Sequence, residues 1–284
     1  MHSGRRSEFA SIVIGSAGAG LVLVLYGAIR FPASIVSAPV PFALSVAGLT
    51  GYIIAGVSAR RAPERAHSAL DLGGVVGGVL ATAGVLNHTL EVAATLPSGI
   101  EAVLGPGMWG LMFLAFAIAC SVTFMRSQSV SLGLLSSVWS GLVYASVLVA
   151  FALAFGFAFM EHMERIFAGL YAASGMTDRE AFVTRLLVTN ASAHIFIAPL
   201  IALLVGSAST VACIVLRSVR HRTAVALSFV SLTLFVAGIA SIRFAESLAR
   251  AQRPPFIEFG LAALGTTLAS AHPLIAAARR RESP

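Results

Sequence analysis

Residues 132–160 read LGLLSSVWSGLVYASVLVAFALAFGFAFM, a run without a single charged side chain. A helix needs about 20 mostly apolar residues to cross a bilayer, and this run exceeds that. It is too long for the buried helix of an ordinary soluble domain, and it decides the fold class. Seven further runs of the same character lie at 9–29, 41–59, 70–88, 105–125, 190–216, 223–243 and 256–277. The expectation is an all-α, polytopic integral membrane helix bundle of about eight transmembrane helices. Glycines interrupt the third run and Pro273 the eighth, so seven spans is the alternative. The whole chain, 1–284, reads as a single transmembrane domain with no soluble domain.

The composition agrees. Only 11% of the 284 residues are charged, against about a quarter in soluble domains. All 19 basic residues are arginine. Without lysine there is no Schiff-base chemistry with retinal or pyridoxal phosphate, and no Walker A loop. The net charge of +7 does not point to nucleic acid, because the arginines stand at the ends of apolar runs. They suit orientation in a bilayer and contact with anionic lipid heads. Cys120 and Cys213 each stand alone in an apolar run, which fits neither a disulfide framework nor a thiolate metal site.

Arginine placement orients the chain. If the N-terminus is cytoplasmic, the inner connections hold twelve arginines, among them Arg5, Arg6, Arg60, Arg61, Arg65, Arg126 and the tail Arg279 to Arg281. The outer ones hold seven: Arg30, Arg165, Arg179, Arg185, Arg243, Arg250 and Arg253. Eight spans then put both the N- and C-termini in the cytoplasm. The membrane expected is the inner (plasma) membrane of a bacterium. The uncharged run after Arg5 and Arg6 is longer than a cleaved signal core and reads as a retained anchor. The sequons at Asn87 and Asn190 abut spans and carry no glycosylation in that setting.

Local signals refine the spans. Thr177-x-x-Glu180 and Ser98-x-x-Glu101 read as capping boxes. The first starts the sixth helix near Asp178. The second starts a short helix that Gly105-Pro106-Gly107 is expected to break before the fourth span. The segment 161–187 is the longest outer connection and suits a pair of interfacial helices. Gly73, Gly74, Gly77 and Gly78 form overlapping GxxxG steps, which let helix backbones approach closely. They serve either packing within the chain or a homo-oligomer or other membrane partner met through Gly73 and Gly77.

Candidate chemistry gathers at the outer ends of spans. His88 and Glu91 share a helix face as H-x-x-E, His162 follows the fifth span, and His194 enters the sixth. Such a mix of imidazole and carboxylate binds zinc or iron, so His88, Glu91, His162 and His194 are the candidate metal ligands. Haem between two histidines is a variant of the same reading. No catalytic residue is assigned, and no particular cofactor is singled out. No span carries a charge at its midpoint, which argues against a proton-driven carrier with a central carboxylate. Ser131, Ser136, Ser137 and Ser140 on the fifth span and Ser207 and Ser209 on the sixth suit a lining for neutral solutes.

Ser140-Gly141-Leu142-Val143-Tyr144-Ala145 resembles the serine segment of rhomboid intramembrane proteases, and Ala193-His194 resembles their histidine segment. The resemblance implies Ser140 as nucleophile and His194 as base. It covers about ten residues. Val138 stands where that family has the first glycine of GxSG, and the polar segment 161–187 stands where it has a further span.

Three functional readings remain open. The first is a small-solute transporter or permease-like protein, suggested by proline-interrupted helices and serine-bearing spans. The second is a non-catalytic membrane subunit or scaffold. The third is a membrane metal- or haem-binding enzyme that uses the outer His/Glu residues.

Overall fold

A computed structural model describes residues 3–93 and 98–218, with side chains for 8–90, 92 and 107–215. Every element among the described residues is helical: α1 Ser3–Arg30, α2 Pro32–Ser37, α3 Pro39–Arg60, a 3-10 turn Glu64–Ala66, α4 His67–Ala93, α5 Ser98–Ser127, α6 Val130–Ala158, α7 Met160–Ile166, α8 Ala168–Ala172 and α9 Arg179–Ser218. Six of them, α1, α3, α4, α5, α6 and α9, are long and apolar enough to cross a membrane. They coincide with the first six expected spans. The chain is thus read as a multi-pass membrane protein. The expected seventh and eighth spans, at 223–243 and 256–277, and the arginine tail lie outside the described residues. The chain divides into two compact units, Met1–Thr210 and Val211–Pro284. The packing below belongs to the first.

Short connections make successive spans alternate in direction. The tightest is Gln128-Ser129 between α5 and α6. Gln128 takes the left-handed conformation at φ 57°, and its N–H donates to the Phe124 carbonyl, which closes α5. Ser129 then accepts from the N–H of Leu132 at 3.4 Å and caps α6.

Helix α6 is the hub and packs on α4, α1 and α5. It runs parallel to α4: Gly73 meets the Ser136 carbonyl and Gly77 the Ser140 carbonyl, at a constant offset in sequence. A methyl at either glycine would collide with backbone, so the small residues are what permits this approach. The intramolecular use of Gly73 and Gly77 is therefore present in the structure. Gly74, on the neighbouring face of α4, packs on the Phe9 ring of α1. Helix α9 runs antiparallel to α6, with Ala202 beside Ser137 and Ala198 beside Gly141. It runs parallel to α3, where Ser45 donates to the Val188 carbonyl at 3.4 Å and Tyr52 to that of Ile195 at 2.5 Å. Both pairs step by seven residues, the repeat that keeps one seam facing its partner.

Two expectations of local structure are corrected. Helix α5 runs unbroken from Ser98 to Ser127, through Gly105-Pro106-Gly107. Proline removes one N–H from the ladder, a loss that membrane helices tolerate. The cap of α9 is Asp178, not Thr177: Asp178 Oδ1 accepts from the Ala181 N–H at 3.0 Å. A carboxylate at this position also meets the positive end of the helix dipole, which a hydroxyl one residue earlier cannot match.

The end of the bundle that holds the start of α9 carries the short helices α7 and α8. They sit over a separate apolar cluster of Met163, Phe182 and Val183, with Phe155, Phe167 and Tyr171 around it. Arg179 stacks on Tyr171 and Arg185 on Phe182, at 5.3 and 5.0 Å from the ring centres.

Candidate functional site

The expected metal ligands occupy different settings. His88 lies with its ring edge-on between Phe151 and Phe155, at 6.1 Å from each ring centre. His162, on α7, hydrogen-bonds through Nε2 to the Val92 carbonyl at 2.8 Å. A carbonyl only accepts, so Nε2 is the donor. His194, on α9, bonds through Nδ1 to the Asn190 carbonyl at 2.9 Å and is exposed. His88 and His162 thus share the end of α4, and His194 lies on another helix. The side chain of Glu91 lies outside the described side chains. Among the described residues, no three His, Cys, Asp or Glu side chains gather as a metal-binding group.

The serine and histidine of the rhomboid-like segments do not pair. Ser140 is fully buried in the hub, and its Oγ has no hydrogen-bond partner among the described residues. His194 faces outward and is held by its own helix.

A polar layer in the apolar interior is the feature with the most chemistry. Serine and threonine inside helices ordinarily donate back to the carbonyl four residues earlier. Thr50, Thr82, Thr89 and Ser207 do so here, at 2.7 to 3.0 Å. Ser136 and Ser140 do not. Both are fully buried, and neither Oγ has a partner among the described residues. The same holds for Nε1 of Trp139, one turn along the same face. The spacing i, i+3, i+4 makes Ser136 a neighbour of both Trp139 and Ser140.

Two further groups stand at the same height. Asp71 lies two residues before Gly73, which marks the level of Ser136, and its buried Oδ1 is also unpartnered. Thr123 lies between Cys120 and Phe124, both of which touch Gly133, and its buried Oγ1 is unpartnered too. From Gly133 to Ser140 the helix rises about 10 Å, so all five groups fall within one slab. An unmade hydrogen bond of this kind costs about 1–3 kcal/mol. Five in one slab is a concentration that packing alone does not call for.

Ser137 and Cys120, by contrast, are satisfied. Ser137 Oγ reaches the Ala202 carbonyl at 2.7 Å and that of Phe116 at 3.2 Å. The Cys120 thiol donates to the Gly206 carbonyl at 3.1 Å, beside Thr210 Oγ1 at 3.2 Å. These bonds tie α5, α6 and α9 together. Sequence reading picks out Ser136 and Ser140. It passes over Trp139. No family model, no curated protein and no solved structure matches this chain.

Proposed function

We propose that this protein is a small-solute transporter or permease-like protein of the inner (plasma) membrane. The observation that supports the reading is the set of buried, unpartnered polar groups on α6, the helix on which α1, α4 and α5 pack. In lipid an unsatisfied polar group is costly. A scaffold subunit gains nothing from such groups, whereas a path for polar solutes needs them. The described charge distribution supports cytoplasmic placement of the N-terminus. Arg5, Arg6, Arg60, Arg61, Arg65 and Arg126 lie at the end where α1, α4 and α6 begin. The opposite end holds Arg30, Arg165, Arg179 and Arg185.

The test is reconstitution into liposomes and measurement of osmotic shrinkage and re-swelling with glycerol, urea and acetamide. Permeability above that of protein-free vesicles is the expected result. Folded protein that speeds none of them would remove the permease reading and favour a membrane subunit or scaffold.

A further inference from the structure

We infer that Ser136, Trp139 and Ser140 form a binding site for a small, neutral, hydrogen-bonding molecule of the amide or polyol class. The inference rests on the permease reading for its choice of ligand, and on the geometry of α6 for its place. Ser136 neighbours Trp139 at i+3 and Ser140 at i+4 on the helix surface, and Trp139 is only 3% exposed while both serines are fully buried. Their polar atoms have no partner among the described residues.

The donor and acceptor inventory sets the ligand's chemistry. Trp139 Nε1–H can only donate, so the ligand carries an acceptor. Each serine both donates and accepts, so the ligand can also carry a donor. No arginine or histidine lies in this slab of α6, and the spans bear no charge at their midpoints. An anion would therefore enter without a counter-charge, at a cost that hydroxyls do not offset. The Asp71 carboxylate, which a cation would need, stands beyond the Ser136 end of the three groups and away from Ser140. A neutral molecule that offers both a carbonyl or hydroxyl oxygen and an N–H or O–H meets all three groups. The path to the site follows the α4–α6 seam, where Gly73 and Gly77 place no side chain between the helices. Parting this seam breaks none of the hydrogen bonds that tie α6 to α5 and α9.

The chain has two tryptophans, which makes the site its own reporter. In a Trp109→Phe protein, acetamide and glycerol are titrated while the Trp139 emission is followed. The expected result is a saturable shift, with ligand-dependent thermal stabilisation. In the Ser136→Ala/Ser140→Ala double variant the apparent affinity falls about tenfold or more, as two hydrogen bonds are lost. Without ligand, the double variant melts at or above the wild-type temperature, because each hydroxyl it removes is unsatisfied. A variant that melts lower shows that the hydroxyls are structural and overturns the proposal. Glycerol or acetamide transport at wild-type rates in the double variant, with no Trp139 response, overturns the site and leaves the permease reading standing. A Trp139 response that the serine substitutions abolish, in a protein that transports nothing, supports the site and removes the permease reading.

Discussion

Tyr52 on α3 donates its phenol hydrogen to the carbonyl of Ile195 on α9, the carbonyl that Pro199 leaves without a helical donor. Proline has no N–H, so the bond it would make to the residue four positions earlier is missing. A side chain from a neighbouring span supplies the donor instead. Both groups are buried. Tyr52→Phe is expected to destabilise the protein by about 1–3 kcal/mol, because it leaves a buried carbonyl unpaired. Thermal unfolding in detergent reads this directly. Pro199→Ala restores a donor within α9, so the two substitutions are expected to be non-additive, with Tyr52→Phe costing less in the alanine background.

Gly77 and Gly51 are expected to respond in opposite senses. A methyl at Gly77 meets the Ser140 carbonyl and the Val143 side chain, whereas one at Gly51 meets nothing within 4 Å. Gly77→Ala overpacks the α4–α6 contact and is expected to cost about 1–3 kcal/mol. Gly51→Ala lies mid-helix in open space and is expected to stabilise by about 0.5–1 kcal/mol. Equal melting temperatures for the two variants would mean that α4 and α6 do not touch at this seam.

Orientation is open to labelling of intact cells. Thr177 and Glu64 are exposed at opposite ends of the bundle. With Cys213 replaced by alanine, an impermeant maleimide is expected to label Thr177→Cys from outside. Glu64→Cys reacts only after permeabilisation. The reverse pattern would place the arginine-rich end outside the cell.

His162 is expected to act first as a tether. Its bond to the Val92 carbonyl joins α7 to the end of α4, and His162→Ala removes about 1 kcal/mol of that attachment. Faster amide exchange over 160–175 is the readout. Metal analysis of the same two proteins addresses the set His88, Glu91, His162 and His194. Stoichiometric zinc or iron in the parent that His162→Ala loses would make that set a metal site, since a histidine fixed by a backbone carbonyl is the form a metal prefers.

Six spans are legible in the amino-acid sequence because lipid leaves few choices. Every backbone polar group must bond within its own helix, so an uncharged run of spanning length can only be a helix. The corrections fall where the sequence offers two local solutions. Gly105-Pro106-Gly107 looks like a break, yet α5 passes through it. Thr177 and Asp178 both look like caps, and the carboxylate takes the position. Composition, spans and arginine placement are properties of the chain taken alone. Which neighbour each polar side chain finds is not. Ser136, Ser137 and Ser140 lie within five consecutive positions of one helix and look alike in sequence. Ser137 reaches carbonyls of α5 and α9, while the hydroxyls of the other two find no partner among the described residues, although their backbone lies against the glycines of α4. That difference arises only when the helices pack, because a hydrogen bond between spans depends on which faces meet.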